Sequence, residues 1–336
     1  MAIQLIRIKN VMAFGAKKTG DKELPFELAF CPGINVIIGE NGTGKTSLLK
    51  MIYAATQWPL RQKSKNKNEH FNSYFSNDIR ILDITNNFEG NNDFSGYEVI
   101  LHNNKIEIEL SSGEMVCRLD DWLDIQSVFI PTTEMLSHSK GFLALDQKYN
   151  MPFDGTQIDI IVNASLPEVK ETPSYMQAIL DKISTVIDGE VIQENDEFYV
   201  LKKDGRKLRF SLEAEGLRKL GLLWKLIRNG LLEPGTVLLW DEPESNLNPE
   251  LFPLVAEILL ELQKNGIQIF VATHSYNFAK YLEIRRTETE QVQFHNLYHS
   301  EHPGVIEASS AYRMEDLHFN HIMMADNKLL DEIYDL

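Results

Sequence analysis

The stretch GENGTGKTSLL, residues 39–49, decides the fold. Its first eight residues fit the pattern G-x-x-x-x-G-K-[ST] at every position. With average composition such a match arises by chance in roughly one chain of this length in a hundred. The flanks make chance a poorer account still. Residues 34–38 (INVII) form a short, largely β-branched run, as in a strand buried on both faces. Downstream, Leu48, Leu49, Ile52 and Tyr53 recur at helical spacing. A glycine turn between strand and helix aims backbone N–H groups at phosphate oxygens, and the helix N-terminus adds its positive end. On this reading Gly39, Glu40, Asn41, Gly42, Thr43, Gly44 and Ser47 form a phosphate cradle. Lys45 reaches the β- and γ-phosphates, and the Thr46 hydroxyl ligates Mg²⁺.

The complementary chemistry lies far downstream, in residues 236–250 (TVLLWDEPESNLNPE). The apolar run 237–240 reads as a second buried strand, ending in Asp241 and Glu242. A carboxylate at that strand end is placed to hold Mg²⁺, directly or through water. The next carboxylate can polarise an attacking water as general base. Neighbours on an extended strand point opposite ways, so the two act together only if the strand stops there. Pro243 predicts that stop, because it lacks a ladder donor. A helix over 248–266 follows, with Asn248 and Pro249 as N-cap and N1 and Gly266 as terminator. Then comes a strand over 267–275. His274 stands at its tip, where α/β sheets bind their ligands.

The order of these pieces resembles that of the ABC-type ATPases: a phosphate loop, a long gap, DEPESNLNP, then ATHS. That resemblance implies a Walker B aspartate at Asp241, a catalytic glutamate at Glu242, a D-loop over 245–248, and a γ-phosphate-sensing histidine at His274. The opening IQLIRIKNVMAFG followed by GINVIIGENGTGKTSLL is similar to the RecF, SMC and OLD branch rather than to transporters. FIPTTEMLSHSKGF and PFDGTQIDI resemble stand-alone OLD-like ATPases of bacteria, many of them in phage defence. ABC ATPases act as head-to-tail dimers in which a signature motif completes the partner's site. The matching region here, residues 209–230, does not spell serine-glycine-glycine. Ser211 and Gly216 are the candidate γ-phosphate donors, with Glu213, Glu215 and Arg218 beside them. For the Q-loop position the chain offers Gln126 before the strand 127–131, or Glu134 after it.

Composition bounds the rest. The chain has 336 residues, 43% hydrophobic and 24% charged, the profile of a soluble globular protein of one large domain or two ordinary ones. No apolar run is long enough to cross a bilayer, and residues 1–10 alternate like a strand rather than a signal peptide. Two cysteines, Cys31 and Cys117, are too few for a disulfide framework or a four-thiolate metal site. A cytoplasmic protein without membrane partners is expected. The net charge of −16 argues against a protein that coats nucleic acid. Local basic stretches at 61–68 and 202–209 leave a nucleic-acid contact open.

The expected architecture is an α/β P-loop NTPase of ABC-ATPase type, with a mostly parallel core sheet, an antiparallel β subdomain and a helical insert. The expected boundaries are a nucleotide-binding core over 1–50 and 210–300, an insert over 51–209, and a C-terminal tail over 301–336. Within the insert, residues 97–110 alternate like a hairpin through Asn103-Asn104. Met176, Ile179, Leu180, Ile183 and Val186 fall on one face of a helix started by Pro173. Asp204-Gly205 reads as a hairpin turn. No heptad array or C-x-x-C hook suggests an SMC arm. The tail contains neither the D-x-D pair of a Toprim nuclease nor room for its core, and Glu315, His318 and His321 are not expected to bind metal. The whole reads as an ATPase using ATP and Mg²⁺, assembled as a homodimer or higher even-numbered oligomer through an ATP sandwich. It would control an effector, a nuclease or toxin, supplied in trans. A RecF-like repair ATPase and an ATP-locked scaffold are the competing readings.

Overall fold

The computed structural model describes residues 2–19, 22–61, 72–75, 85, 95–102, 104–111, 114–120, 125–149, 151, 153–302 and 304–334. The strand before the glycine loop, Ile34–Gly39, is buried along its whole length inside a six-stranded sheet. The order across that sheet is Ile306–Ala311, Val292–His299, Ile34–Gly39, Gln268–Ala272, Val237–Asp241 and Ser127–Ile130. The first pair is antiparallel and the remaining neighbours run parallel. All parallel strand ends, and therefore the loops that follow them, converge on one edge.

Side chains alternate across each strand, so continuous apolar runs feed two separate cores. Ile34, Val36, Ile38, Leu238, Trp240, Ile269 and Val271 face one core. Helices Glu215–Arg228, Phe252–Lys264 and Tyr276–Arg285 fill it with Leu223, Leu259 and Phe278. Ile37, Val237, Leu239, Phe270 and Ala272 face the other, which they share with helix Lys45–Arg61. That second core is closed by a five-stranded antiparallel sheet in the order Phe26–Ala29, Ile3–Lys9, Ser95–Leu101, Asn104–Ser111, Glu114–Leu119. Gln268 ties the two sheets together. Its amide donates to the carbonyls of Ile3 and Cys31, and its oxygen accepts from the Ile3 N–H at 2.8 Å.

One polar residue interrupts the buried loop strand. Asn35 is fully buried, and its amide exchanges two hydrogen bonds with the Cys31 backbone. Its oxygen also meets Nε2 of the fully buried His295 at 3.1 Å, while Nδ1 of that ring meets Ser310 Oγ at 2.8 Å. Burial holds the His295 imidazole down at about 3.

The insert carries helices Phe142–Tyr149, Gly155–Ala164 and Ser174–Val186, then a small sheet of Gly189–Glu194, Glu197–Lys202 and Lys207–Arg209. Met176, Ile179, Leu180 and Ile183 are buried at the spacing the sequence predicts, and Val186 packs beside them half-buried. Asp154 caps helix Gly155–Ala164 in a capping box with Gln157 and also binds Lys50 of the loop helix at 2.7 Å. Gly205 takes the left-handed conformation, φ +86°, in its turn.

The expected segment boundaries do not follow the sheets. Strand Ser127–Ile130, inside 51–209, forms an edge of the core sheet, and Ile306–Ala311, inside the tail, forms the other. The loop helix also continues past residue 50, to Arg61. Strand pairing is non-local, so composition along the chain does not mark it. The basic stretch 61–68 lies outside the described residues except for Arg61, and so does Asn103 of the expected hairpin turn. No helix among the described residues is long and apolar enough to cross a membrane.

Candidate functional site

The loop after Ile34–Gly39 is shaped by its glycines. Gly42 and Gly44 have φ of +81° and +88°, a conformation that costs other residues energy. A Cβ on Gly44 would lie 2.9 Å from the Phe14 ring, and one on Gly39 would lie 2.2 Å from the Leu297 carbonyl oxygen. The loop is thus squeezed between two neighbours. Lys45 folds back over it, donating to the carbonyls of Gly39 at 2.9 Å and Glu40 at 2.7 Å. Burial brings the Lys45 ammonium down to about 8, against the pull of Asp241, Glu242 and Glu40. Such a cation, held by neutral carbonyls, suits a phosphate group.

Asp241 ends its strand facing the start of the loop helix. The Thr46 hydroxyl donates to its Oδ2 at 2.9 Å, and the Thr132 hydroxyl donates to the same oxygen at 3.0 Å. Burial raises the Asp241 carboxyl from its ordinary range, against those two hydrogen bonds; Glu242 adds to the rise and Lys50 opposes it. Hydroxyl and carboxylate oxygens converging in this way suit a hard divalent cation. Thr132 was not singled out from sequence. Its signal was its position just past the short strand Ser127–Ile130, on the same edge as the glycine loop.

Glu242 leaves the strand in the left-handed region, φ +48°, which swings its side chain clear of the sheet. Its Oε1 lies 3.7 Å from Nε2 of His274, and both side chains remain partly open to solvent. Burial and the neighbouring Lys45 lower the His274 imidazole, with Glu242 opposing, so the ring is neutral near pH 7. Behind them Glu244 accepts from Thr273 Oγ1 at 2.5 Å and from the His274 backbone N–H at 3.3 Å. Burial raises the Glu244 carboxyl, and that residue sets the loop carrying His274. It too was missed from sequence.

A family model described as "AAA domain, putative AbiEii toxin, Type IV TA system" matches residues 131–279. The chain is 28% identical to the L-cystine import ATP-binding protein TcyN of Bacillus subtilis, over 36% of this chain. It is 26% identical to the DNA replication and repair protein RecF of Streptococcus equi subsp. zooepidemicus, over 59% of this chain. It spans about half the length of these curated relatives, 55% of each. Among solved structures, an SMC head bound to the C-winged helix domain of ScpA superposes with a TM-score of 0.59 at 15% identity, covering 93% of this chain and 98% of that one. The SMC head domain from Thermotoga maritima gives 0.52 at 18% identity, covering 93% and 99%. The chain has the fold of the SMC-head P-loop ATPases. The branch of stand-alone OLD-like proteins is not singled out by these relatives.

Within this fold, the start of helix Glu215–Arg228 lies against the chain's own residues 246 and 247. Helix Glu215–Arg228 begins at Ala214, and a Cβ on Gly216 would lie 2.5 Å from the Asn246 carbonyl oxygen. Ser211 is exposed beside Leu212, which is 69% exposed. Gln126 sits at the amino end of its strand, on the edge opposite the glycine loop, so it is not the residue that meets the nucleotide edge. Glu134 does lie on that edge. It is buried, and it accepts from Arg218 Nη1 at 3.0 Å and from the Ser137 N–H at 3.1 Å. In the tail, Nδ1 of His321 lies 3.7 Å from Oε1 of Glu40 at the cradle rim. No group of three His, Cys, Asp or Glu side chains able to hold a metal ion occurs among the described residues. Helix His321–Tyr334 has no buried residue and exposes Met324, Leu329, Ile333 and Tyr334.

Proposed function

We propose that this chain binds Mg-ATP along the shared carboxyl edge of its parallel strands and hydrolyses it, and that two copies close head to tail around two nucleotides. The observation that carries this reading is the convergence of Lys45, Thr46, Asp241, Glu242 and His274 from three parallel strand ends. Backbone N–H groups of residues 39–44 and the Lys45 ammonium hold the phosphates. Thr46 and Asp241 would hold Mg²⁺, which neutralises charge developing on the phosphates. Glu242 takes the proton of the attacking water, and the neutral His274 hydrogen-bonds toward the γ-phosphate. Ser211 and Gly216 of a second copy complete the site, and the exposed edge around Ser211 supports that contact.

The state change controls an effector protein, a nuclease or toxin, in bacterial antiphage defence. The toxin–antitoxin description of the matching family model and the ScpA domain on a similarly folded head support a protein partner. A RecF-like repair role is the second reading, favoured by the similarity to RecF over 59% of the chain.

The test compares ATP turnover and light-scattering mass of wild type and Glu242→Gln, then captures partners from the native host in Mg-ATP and in ADP. Turnover abolished by the substitution, with a stoichiometric protein partner gained or lost by nucleotide, is the expected result. Equal near-zero turnover in both proteins indicates an ATP-locked scaffold. Capture of nucleic acid alone, lost in high salt, indicates the repair role.

A further inference from the structure

Lys219 is 2% exposed, one turn into helix Glu215–Arg228, and its place is not explained by phosphate binding. Lys225, also buried on that helix, has a carboxylate at 2.7 Å in Glu168. Lys219 has no carboxylate within ion-pair distance among the described residues. Its ammonium donates instead to the Glu242 carbonyl oxygen at 3.0 Å and to the Ser245 hydroxyl. Burying an ammonium without a close counter-ion is unfavourable. An uncharged Leu or Met here would avoid that cost, so the charge is read through what it holds.

What it holds is a strained turn. Glu242, a non-glycine residue at φ +48°, is strained in that conformation. The Glu242 N–H donates to Ala272 O at 2.9 Å, and its carbonyl accepts from the Ser245 N–H at 3.1 Å as well as from Lys219. With both sides of its peptide held, the direction in which the Glu242 side chain leaves the backbone is set too. The same helix turn grips the loop elsewhere. Asn246, at φ +59°, donates to Glu215 Oε1 at 2.8 Å, and Gly216 lies flat against its carbonyl.

We infer that Lys219 is the positioning residue for Glu242: through the Glu242 carbonyl and the Ser245 hydroxyl it makes the aim of the general base depend on the seating of helix Glu215–Arg228. The inference rests on the reading of Glu242 as general base. Burial lowers the Lys219 ammonium, and Glu244, Glu242, Glu215 and Asp241 together oppose that fall. A second copy that presses on the exposed edge at Ser211 and Glu215 presses on the helix that aims the base.

Steady-state and single-turnover hydrolysis, with ATP affinity measured by calorimetry, test this in Lys219→Met, Lys219→Arg, Ser245→Ala and Glu242→Gln. Lys219→Met should lower kcat by about tenfold or more while KM and ATP affinity stay within about twofold, because misaiming a base costs rate and not ground-state binding. Lys219→Arg, which keeps donors in reach, should recover most of that loss. A merely structural lysine would lower the melting temperature without this split or this rescue. A folded Lys219→Met with the wild-type kcat overturns the inference, as does a folded Lys219→Arg no better than Met. If Lys219→Met does not fold, Ser245→Ala decides, since it removes one of the two acceptors without stranding a charge. A lower kcat at unchanged affinity supports the role, and an unchanged kcat overturns it. Glu242→Gln separates the two readings: if it turns over like wild type, the base assignment itself is wrong and the inference falls with it.

Discussion

Thr46 and Asp241, separated by 195 positions in the chain, meet with their side-chain oxygens 2.9 Å apart. One begins the helix after the glycine loop and the other ends a strand two places along the same sheet. Both are short side chains on rigid elements, so the pair is positioned by the sheet and not by loop packing. On the function proposed above, this pair is the seat of the divalent cation.

Lys45→Ala removes the cation that rests on the Gly39 and Glu40 carbonyls. Charge-assisted bonds to phosphate are among the strong ones, so ATP affinity should fall by about 100-fold or more. Calorimetric titration checks this. Wild-type affinity in the variant would place the phosphates elsewhere.

Glu242→Gln keeps the shape of the side chain near His274 but cannot accept a proton. Hydrolysis should fall by roughly 10²–10⁴-fold while ATP remains bound. The Mg-ATP dimer should accumulate and be visible as doubled mass by light scattering. A variant that stays monomeric in Mg-ATP would count against the sandwich.

Asp241→Asn removes a charge that burial already disfavours, while keeping an oxygen for Thr46 and Thr132. Thermal stability should hold or rise. The Mg²⁺ concentration for half-maximal hydrolysis should increase by about tenfold or more, since the remaining amide oxygen is a weaker ligand. A Mg²⁺ titration at saturating ATP reads this directly.

Glu134→Ala strips Arg218 of its carboxylate in a site where Glu134 is only 2% exposed. Leaving the guanidinium half-buried and unpaired should destabilise the fold by about 3 kcal/mol. The double variant Glu134→Leu with Arg218→Met should lose less than the single one. Urea unfolding of the three proteins separates these outcomes.

His295 supplies a pH dependence of stability. Its folded value of about 3 lies below the unfolded 6.5, so the unfolded chain binds the extra proton between them. Stability should therefore be full above pH 6.5 and fall as pH drops toward 3, by about 1.4 kcal/mol per pH unit from this one group. Comparing the pH slope of unfolding in wild type and His295→Gln between pH 6 and 4.5 isolates it. Identical slopes would mean the ring is protonated in the folded state.

The glycine loop, its flanking strand and helix, and the Asp241-Glu242 pair were legible in the chain because each depends on local rules. Glycines at φ beyond +80°, a proline after a strand and apolar runs are properties of neighbouring residues. The amphipathic helix Ser174–Val186 was legible for the same reason. The residues that support the site were not. Thr132 and Glu244 are ordinary polar residues whose partners lie 109 and 29 positions away. Lys219 looks like one more lysine on a helix until the D-loop is packed over it.

The sequence by itself determined that this protein is a P-loop α/β fold and which residues stand at the glycine loop and at the ends of its strands. Those choices follow from backbone freedom, hydrophobic period and side-chain chemistry, all short-range. Only the tertiary structure decided which strands share the core sheet, why Gln126 lies on the wrong edge, and how a buried lysine reaches the Glu242 backbone. These depend on the pairing of distant strands and on burial, and neither leaves a mark in the residues next door.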